Sequence, residues 1–289
     1  MTVRVWLAFV ALCVIWGTPY FFIKLAVHEL SPVWVAWGRL LCASLLLVPI
    51  AYWRGAFAGM GRHWRFILAF ALVELVGPFY LIALGERWIS SSLAGILLAG
   101  VPLFVVIVAP LLGVHERVGP RRLIGLATGL LGVVALLGLD SIQDTLGWFG
   151  AACILTAAVG YAVGPLIVQR HLAGVDSLGT VAASVAVGAT VLTIPAIFTA
   201  PPALPTVVAF GSVAILGIMC TALGLLLFVY VISRAGASRA AVVTYVNPAV
   251  ALLLGVFLLD EHFGAGPAIG LVLILLGSWL ATSGSGSSH

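Results

Sequence analysis

Charge is scarce in this sequence. Lys and Arg number 13 and Asp and Glu 9, so charged residues make up 8% of the chain, against about 25% in soluble domains. With 63% hydrophobic residues and a mean hydropathy of +1.26, no soluble packing arrangement would hide the apolar surface. Cysteine is scarce too. Cys13, Cys42, Cys153 and Cys220 lie inside apolar stretches without C-x-x-C spacing, which argues against a disulfide framework and a thiolate metal site. The six histidines, His28, His63, His115, His171, His262 and His289, fall at helix ends, in loops or in the tail, and none has H-E-x-x-H spacing, so no metal or other cofactor is expected. There is no G-x-x-x-x-G-K-[ST] phosphate loop for a nucleotide domain. No G-x-S-x-G elbow and no intramembrane Ser, His and Asp cluster is present, which argues against an enzyme.

What the chain has is long apolar runs. A helix needs about 20 apolar residues to cross the hydrocarbon core. Ten such stretches occur, near 5 to 27, 33 to 53, 65 to 84, 89 to 113, 121 to 139, 147 to 169, 178 to 198, 207 to 232, 239 to 259 and 266 to 283. They are continuously apolar and about twice as long as the alternating strands of a membrane barrel. The expected class is therefore all-α, a polytopic membrane protein of about ten transmembrane helices. The first stretch is too long for a signal h-region and lacks a small-x-small cleavage site, and is expected to remain as a helix.

Basic residues mark the orientation. With the N-terminus on side one, that side carries Arg4, Arg54, Arg62, Arg65, Arg117, Arg121, Arg122, Arg170, Arg234 and Arg239. The other side has only Lys24 and Arg87, and Arg39 lies within a helix. The positive-inside rule then places both termini in the cytoplasm. The acids Glu29, Glu86, Asp140, Asp144, Asp260 and Glu261 gather on the opposite side. The net charge of +4 is a topology signal and calls for no nucleic-acid partner.

The two halves repeat. Pro19 with Lys24 recurs as Pro165 with Arg170, and Pro102 as Pro248, each at an offset of 146 residues. Glu116, Gly119, Gly125 and Gly132 recur as Glu261, Gly264, Gly270 and Gly277 at an offset of 145. Five helices is an odd number, so the second copy enters the membrane from the opposite side, as in many secondary transporters. The expected organisation is a first repeat over 1–140, a second, inverted repeat over 141–283, and a flexible tail over 284–289.

The stretch ALGERWISSSLAGILLAGVPLFVVIVAPLLGVHERVGPRRLIGLATGLLGVVALLG resembles the end of the first EamA repeat of the drug/metabolite transporter superfamily. SRAGASRAAVVTYVNPAVALLLGVFLLDEHFGAGPAIGLVLILLGSWLA is similar to the end of the second. WGTPYFFIK and Arg39 in AWGRLLCASLLL also resemble the family's first two helices. The resemblance covers residues 5 to 283. It implies a ten-helix inner-membrane carrier with a central cavity, typically exporting amino acids, metabolites or drugs. Glu74 in the third helix departs from the family pattern.

Candidate site residues follow from the kinks and from the intramembrane charges. A proline in a helix interior leaves the carbonyl four residues earlier without its partner. Pro19, Pro78, Pro102, Pro165 and Pro248 thus free the carbonyls of Ile15, Glu74, Leu98, Tyr161 and Thr244. Kinked helices of this kind line transporter sites or are mere packing kinks. Glu74 sits about 14 Å from the cytoplasmic end of its helix at 1.5 Å per residue. A carboxylate at that depth is costly unless protonated, paired or hydrated, which suits it to exchanging a proton against a solute or to holding a cationic group. The structural alternative is an ion pair with Arg39. Trp16, Tyr20, Phe79, Tyr161, Tyr245 and Asn247 flank the prolines and are candidate walls of a substrate pocket. Tyr80 also follows Pro78. Trp53, Trp64 and Trp88 are placed as interfacial anchors.

Gly125 with Gly129, and Gly160 with Gly164, form G-x-x-x-G faces expected to pack helices within the protomer rather than to make a dimer seam. Glu116, Asp260 and Glu261 are expected to be solvated loop charges, with a register or gating role as the alternative. The function expected is secondary transport of a small solute, with the bilayer as partner and protons as the candidate coupling ion, as monomer or homodimer. A flippase for a lipid-linked group and an integral-membrane enzyme are the alternatives.

Overall fold

The computed structural model describes residues 2–113, 119–138, 144–235, 243–262 and 264–282, with the side chains of residues 122, 136–138, 245, 281 and 282 left out of the description. Ten helical segments follow one another among the described residues. They are α1 (Val3–Ala26), α2 (Pro32–Trp53), α3 (Met60–Gly85), α4 (the pair Ser91–Leu98 and Val101–Leu111), α5 (Pro120–Gly138), α6 (Thr145–His171), α7 (Ser177–Phe198), α8 (Val207–Ala235), α9 (Val243–Leu258) and α10 (Ala265–Thr282). Six of these, α1, α2, α3, α6, α7 and α8, are each long and apolar enough to cross a bilayer, and the two arms of α4 make a seventh span bent by 41°. Shorter apolar runs of α5, α9 and α10 complete the set. Leu7, Leu131, Ile194, Phe210 and Phe257 are exposed on the outside of the bundle, the arrangement expected where the surroundings are hydrocarbon.

Helices pack in a pattern that is nearly unchanged when 1–5 are exchanged with 6–10. The helix pairs α2 with α7, α4 with α9, and α5 with α10 each run side by side. The crossing of α3 on α6 is matched by that of α8 on α1. The α5–α10 seam is built on glycines. A Cβ at Gly277 would lie 2.5 Å from Gly129 Cα and 2.6 Å from the Gly125 carbonyl, and one at Gly132 would lie 2.7 Å from Ile274 N and 3.0 Å from the Gly270 carbonyl. These glycines serve close packing inside the protomer.

The main buried cluster draws on α1, α2, α3, α4, α6 and α8, with Ile23, Val35, Ile82, Leu93, Ile154 and Leu216 in it. A second cluster joins α2, α3, α7 and α8 through Leu40, Leu75, Phe79, Val185 and Ala222. Tyr161 packs against both.

The acids of one side have a structural reason to gather there. α2, α4, α6 and α8 all begin on that side, and helix N-termini present unsatisfied N–H groups and the positive end of the dipole. Asp144 accepts from Gly147 N at the start of α6 (2.8 Å). Glu29, from the α1–α2 connection, accepts from Thr206 N (2.8 Å) and Thr206 Oγ1 (2.6 Å) at the start of α8. Glu261 is no solvated loop charge: it accepts from N and Oγ of Ser91 (2.7 and 2.9 Å) and of Ser92 (2.9 and 2.5 Å) at the start of α4. Asp260, at φ 52, turns the chain after α9 through the left-handed region, which Asp tolerates better than most residues, and so aims Glu261 at α4. Asp140, Glu116, Arg117 and Arg239 lie outside the described residues.

Candidate functional site

The prolines act differently from one another. Pro19 separates Val3–Gly17 from Pro19–Ala26, and the Ile15 carbonyl it would leave unpaired accepts from Thr18 Oγ1 (2.9 Å). That carbonyl is therefore consumed within α1. Pro102 stands at the bend of α4. Pro78 follows a π-helical stretch, Ala71–Val76, in which Gly77 N donates to the Leu72 carbonyl. Pro165 and Pro248 sit inside uninterrupted helices, so neither breaks its helix as Pro19 and Pro102 do. A second π stretch, Leu216–Leu223 of α8, lies opposite α1 and α2. Such wide turns recur at functional sites because they re-aim side chains and loosen the i to i−4 ladder.

Glu74 is carried by the first π stretch, against α6. A Cβ at Gly164 would lie 2.7 Å from Glu74 Cδ, and one at Gly160 would press on the Val73 carbonyl and on Pro78 Cγ (2.9 Å). The small residues of α6 thus make the room that the carboxylate occupies. Glu74 Oε2 is buried and has no hydrogen-bond partner. The ion pair between Glu74 and Arg39, the structural alternative, is absent among the described residues. α2 instead seats its Arg39–Ala43 backbone on Gly217 of α8, where a Cβ would lie 2.6 Å from the Arg39 carbonyl. That turns Arg39 toward the second π stretch. Its Nε donates to Thr221 Oγ1 (2.7 Å), and its Cζ lies 3.6 Å from the centre of the Phe79 ring. Tyr161 stands within electrostatic reach of both Arg39 and Glu74, and Tyr20 within reach of Arg39 and Tyr161.

Arg39, Phe79, Tyr161 and Tyr20 lie near one another, and Tyr161 is near Glu74 as well. Trp16 is not part of that group: its indole Nε1 donates to the Cys220 carbonyl (3.1 Å) in the second π stretch, and its ring packs 4.8 Å from that of Phe228. Asn247, with its amide oriented to suit the surrounding carbonyls, donates to Cys13 O (3.3 Å) and Val243 O (2.9 Å), tying α9 to α1. The Tyr245 side chain lies outside the described residues. Trp53, Trp64 and Trp88 are exposed at helix ends, where interfacial anchors belong.

Sequence reasoning missed Glu86 as a buried group. It follows α3 directly, is 0% exposed, and neither carboxylate oxygen has a hydrogen-bond partner. Beside it, Lys24 Nζ donates to the carbonyls of Glu86 and Ile89 (2.7 Å each), a cation at a helix C-terminus as the dipole favours. Its place in an acid-rich connection gave no sign of burial.

An apolar bundle of ten helical segments among the described residues, with Glu74 and Arg39 inside its spans, belongs to the class of multi-pass membrane proteins. The model of the EamA-like transporter family matches residues 4–138 and again residues 148–283, and the chain belongs to that family. It is 28% identical over 285 residues to the uncharacterized inner membrane transporter YedA of Escherichia coli, covering 96% of this chain and 90% of that one. It is 23% identical over 284 residues to the uncharacterized transporter YoaV of Bacillus subtilis, covering 97% of each. It superposes on a solved crystal structure with a TM-score of 0.68 over 98% of both chains at 20% identity, a likeness of fold.

Proposed function

We propose that this transporter is a secondary carrier of the cytoplasmic membrane that exports small metabolites, amino acids or drugs by alternating access, with Glu74 carrying the coupling proton. The observation that carries the reading is the Glu74 carboxylate itself. It stands on a π turn in mid-span, one oxygen is buried without a partner, and glycines of the other half make room for it. A carboxylate kept there at such cost is a functional group by default.

Two halves, 1–140 and 141–283, inserted in opposite senses, support the alternating-access part of the reading. The family model fits each half separately. The π stretches Ala71–Val76 and Leu216–Leu223 fall at matching places, as do the contacts of Glu74 with Gly164 and of Cys220 with Thr18 (Sγ to Oγ1, 3.4 Å). Both contacts relate at the offset of 146 seen in the sequence. Rocking one half on the other would then open the site to each face in turn. Both termini in the cytoplasm follow from the distribution of Arg and Lys, and the inner membrane agrees with the name of the Escherichia coli relative.

The test is flux in proteoliposomes across a broad panel of amino acids, metabolites and drugs, with and without an imposed proton gradient. Movement of at least one solute, accelerated by the gradient, is the expected result. A tight vesicle that moves none of them would overturn the reading.

A further inference from the structure

We propose that Arg39 docks a carboxylate group, so that the site takes small organic carboxylates with an apolar or aromatic body. This deepens the carrier reading above and rests on it for the word cargo, although the docking itself stands on geometry alone.

Arg39 is 7% exposed, about two turns into α2. Its side chain is held at two points. Nε donates to Thr221 Oγ1, whose own proton goes to the Leu216 carbonyl (2.8 Å) inside the π stretch. The guanidinium plane rests on Phe79, itself 5% exposed. What this leaves over is the outer edge of the fork. Nη1 and Nη2 carry four N–H bonds, and no described residue accepts from them. Neither nitrogen is among the fully buried atoms that lack a partner, so each keeps some accessible surface although the residue as a whole is buried.

A guanidinium in mid-membrane without a counter-ion is costly. Glu74 forms no ion pair with it, and Glu86, although within electrostatic reach, is not in contact. The planar fork matches a carboxylate through two parallel N–H···O bonds. Fixed by Thr221 and Phe79 beforehand, it loses little freedom on binding. Tyr20, Tyr161 and Phe79 supply the apolar and aromatic walls around it. Such walls favour an anion with an organic body over a small inorganic ion, which would be left against hydrocarbon.

The test uses matched pairs of probes on the purified full chain, by thermal shift: L-phenylalanine and its amide, L-leucine and its amide, 3-phenylpropanoate and its amide, with sodium chloride as the inorganic-anion control. At least one carboxylate is expected to raise the melting temperature while its amide does not. Arg39→Lys keeps the charge and the fold but loses the fork, and should weaken that carboxylate by about tenfold or more. Arg39→Gln should abolish the preference for acid over amide. The proposal is overturned if no carboxylate binds, if acid and amide bind alike, if chloride reproduces the shift, or if Arg39→Gln retains the affinity.

Flux in proteoliposomes separates this proposal from the carrier reading. A protein that binds a carboxylate through Arg39 but moves no solute of the panel removes the carrier reading and leaves the docking in place. Translocation of amides or amines that is untouched by Arg39→Gln keeps the carrier and removes the docking.

Discussion

Glu261 reaches from the turn after α9 to the first residues of α4 and accepts from Ser92 twice, from its N–H at 2.9 Å and its hydroxyl at 2.5 Å. With the matching pair from Ser91, one carboxylate satisfies two orphan N–H groups of a helix in the other half of the chain. Gly255 makes the approach feasible, since a Cβ there would lie 3.1 Å from Glu261 Cδ. Charge-assisted bonds of this kind are each stronger than neutral ones, and Glu261→Ala should destabilise the protein by about 3 kcal/mol. Glu261→Gln, which keeps one acceptor oxygen, should cost about half of that. Unfolding in mixed micelles gives the comparison, and equal stability of Glu261→Ala and wild type would contradict the capping role.

Glu29 makes a lighter contact of the same sort with Thr206. The Thr206 hydroxyl first, then its backbone N–H, hold the Glu29 carboxylate below the ordinary range. A depressed carboxylate adds stability that is present above its unfolded pKa and lost as pH falls through the folded one. Wild type should therefore melt above Glu29→Gln at neutral pH, and the gap should close as the pH falls below about 4. Melting curves taken across pH check this; a gap that widens in acid would have the wrong sign.

Gly277 faces backbone rather than side chain, with Gly129 Cα and the Gly125 carbonyl where a methyl would go. Backbone cannot step aside as a flexible side chain does. Gly277→Ala should thus cost about 2 kcal/mol by overpacking the α5–α10 seam, read as a lower melting temperature and a lower yield of monodisperse protein. A fully stable Gly277→Ala would show that the seam has slack.

Glu74→Gln removes the titrating group and keeps the shape. The expected outcome is a protein that folds and elutes as wild type but whose flux no longer responds to an imposed pH gradient. Flux measured at several pH values decides it: an unchanged pH response would sink the coupling role of Glu74.

The architecture was legible because it rests on run length and proline spacing. Ten apolar stretches became ten helices with ends shifted by a few residues, and the offset of 146 reappears in the paired π turns and paired contacts. The site was legible only in part. Helix-rise arithmetic places Glu74 deep within its span, but it says nothing of rotation about the helix axis. Gly217 sets that rotation for α2 and turns Arg39 to Thr221. Trp16 and Asn247 flank the expected prolines, yet their donors are claimed by carbonyls of neighbouring helices, a demand that appears only once the π stretch and the helix pairs exist. Glu86 and Glu261 read as loop acids because sequence gives a connection's composition and not what folds over it.

A carrier that works by alternating access serves one site, between its halves, from both faces of the membrane. With Cys13, Cys42, Cys153 and Cys220 replaced by alanine, Tyr161→Cys provides a single thiol at that site for a membrane-impermeant methanethiosulfonate reagent. Modification is expected when the reagent is supplied from either face of oriented vesicles, each alone. Modification from one face only, under every solute and pH condition tried, would contradict it.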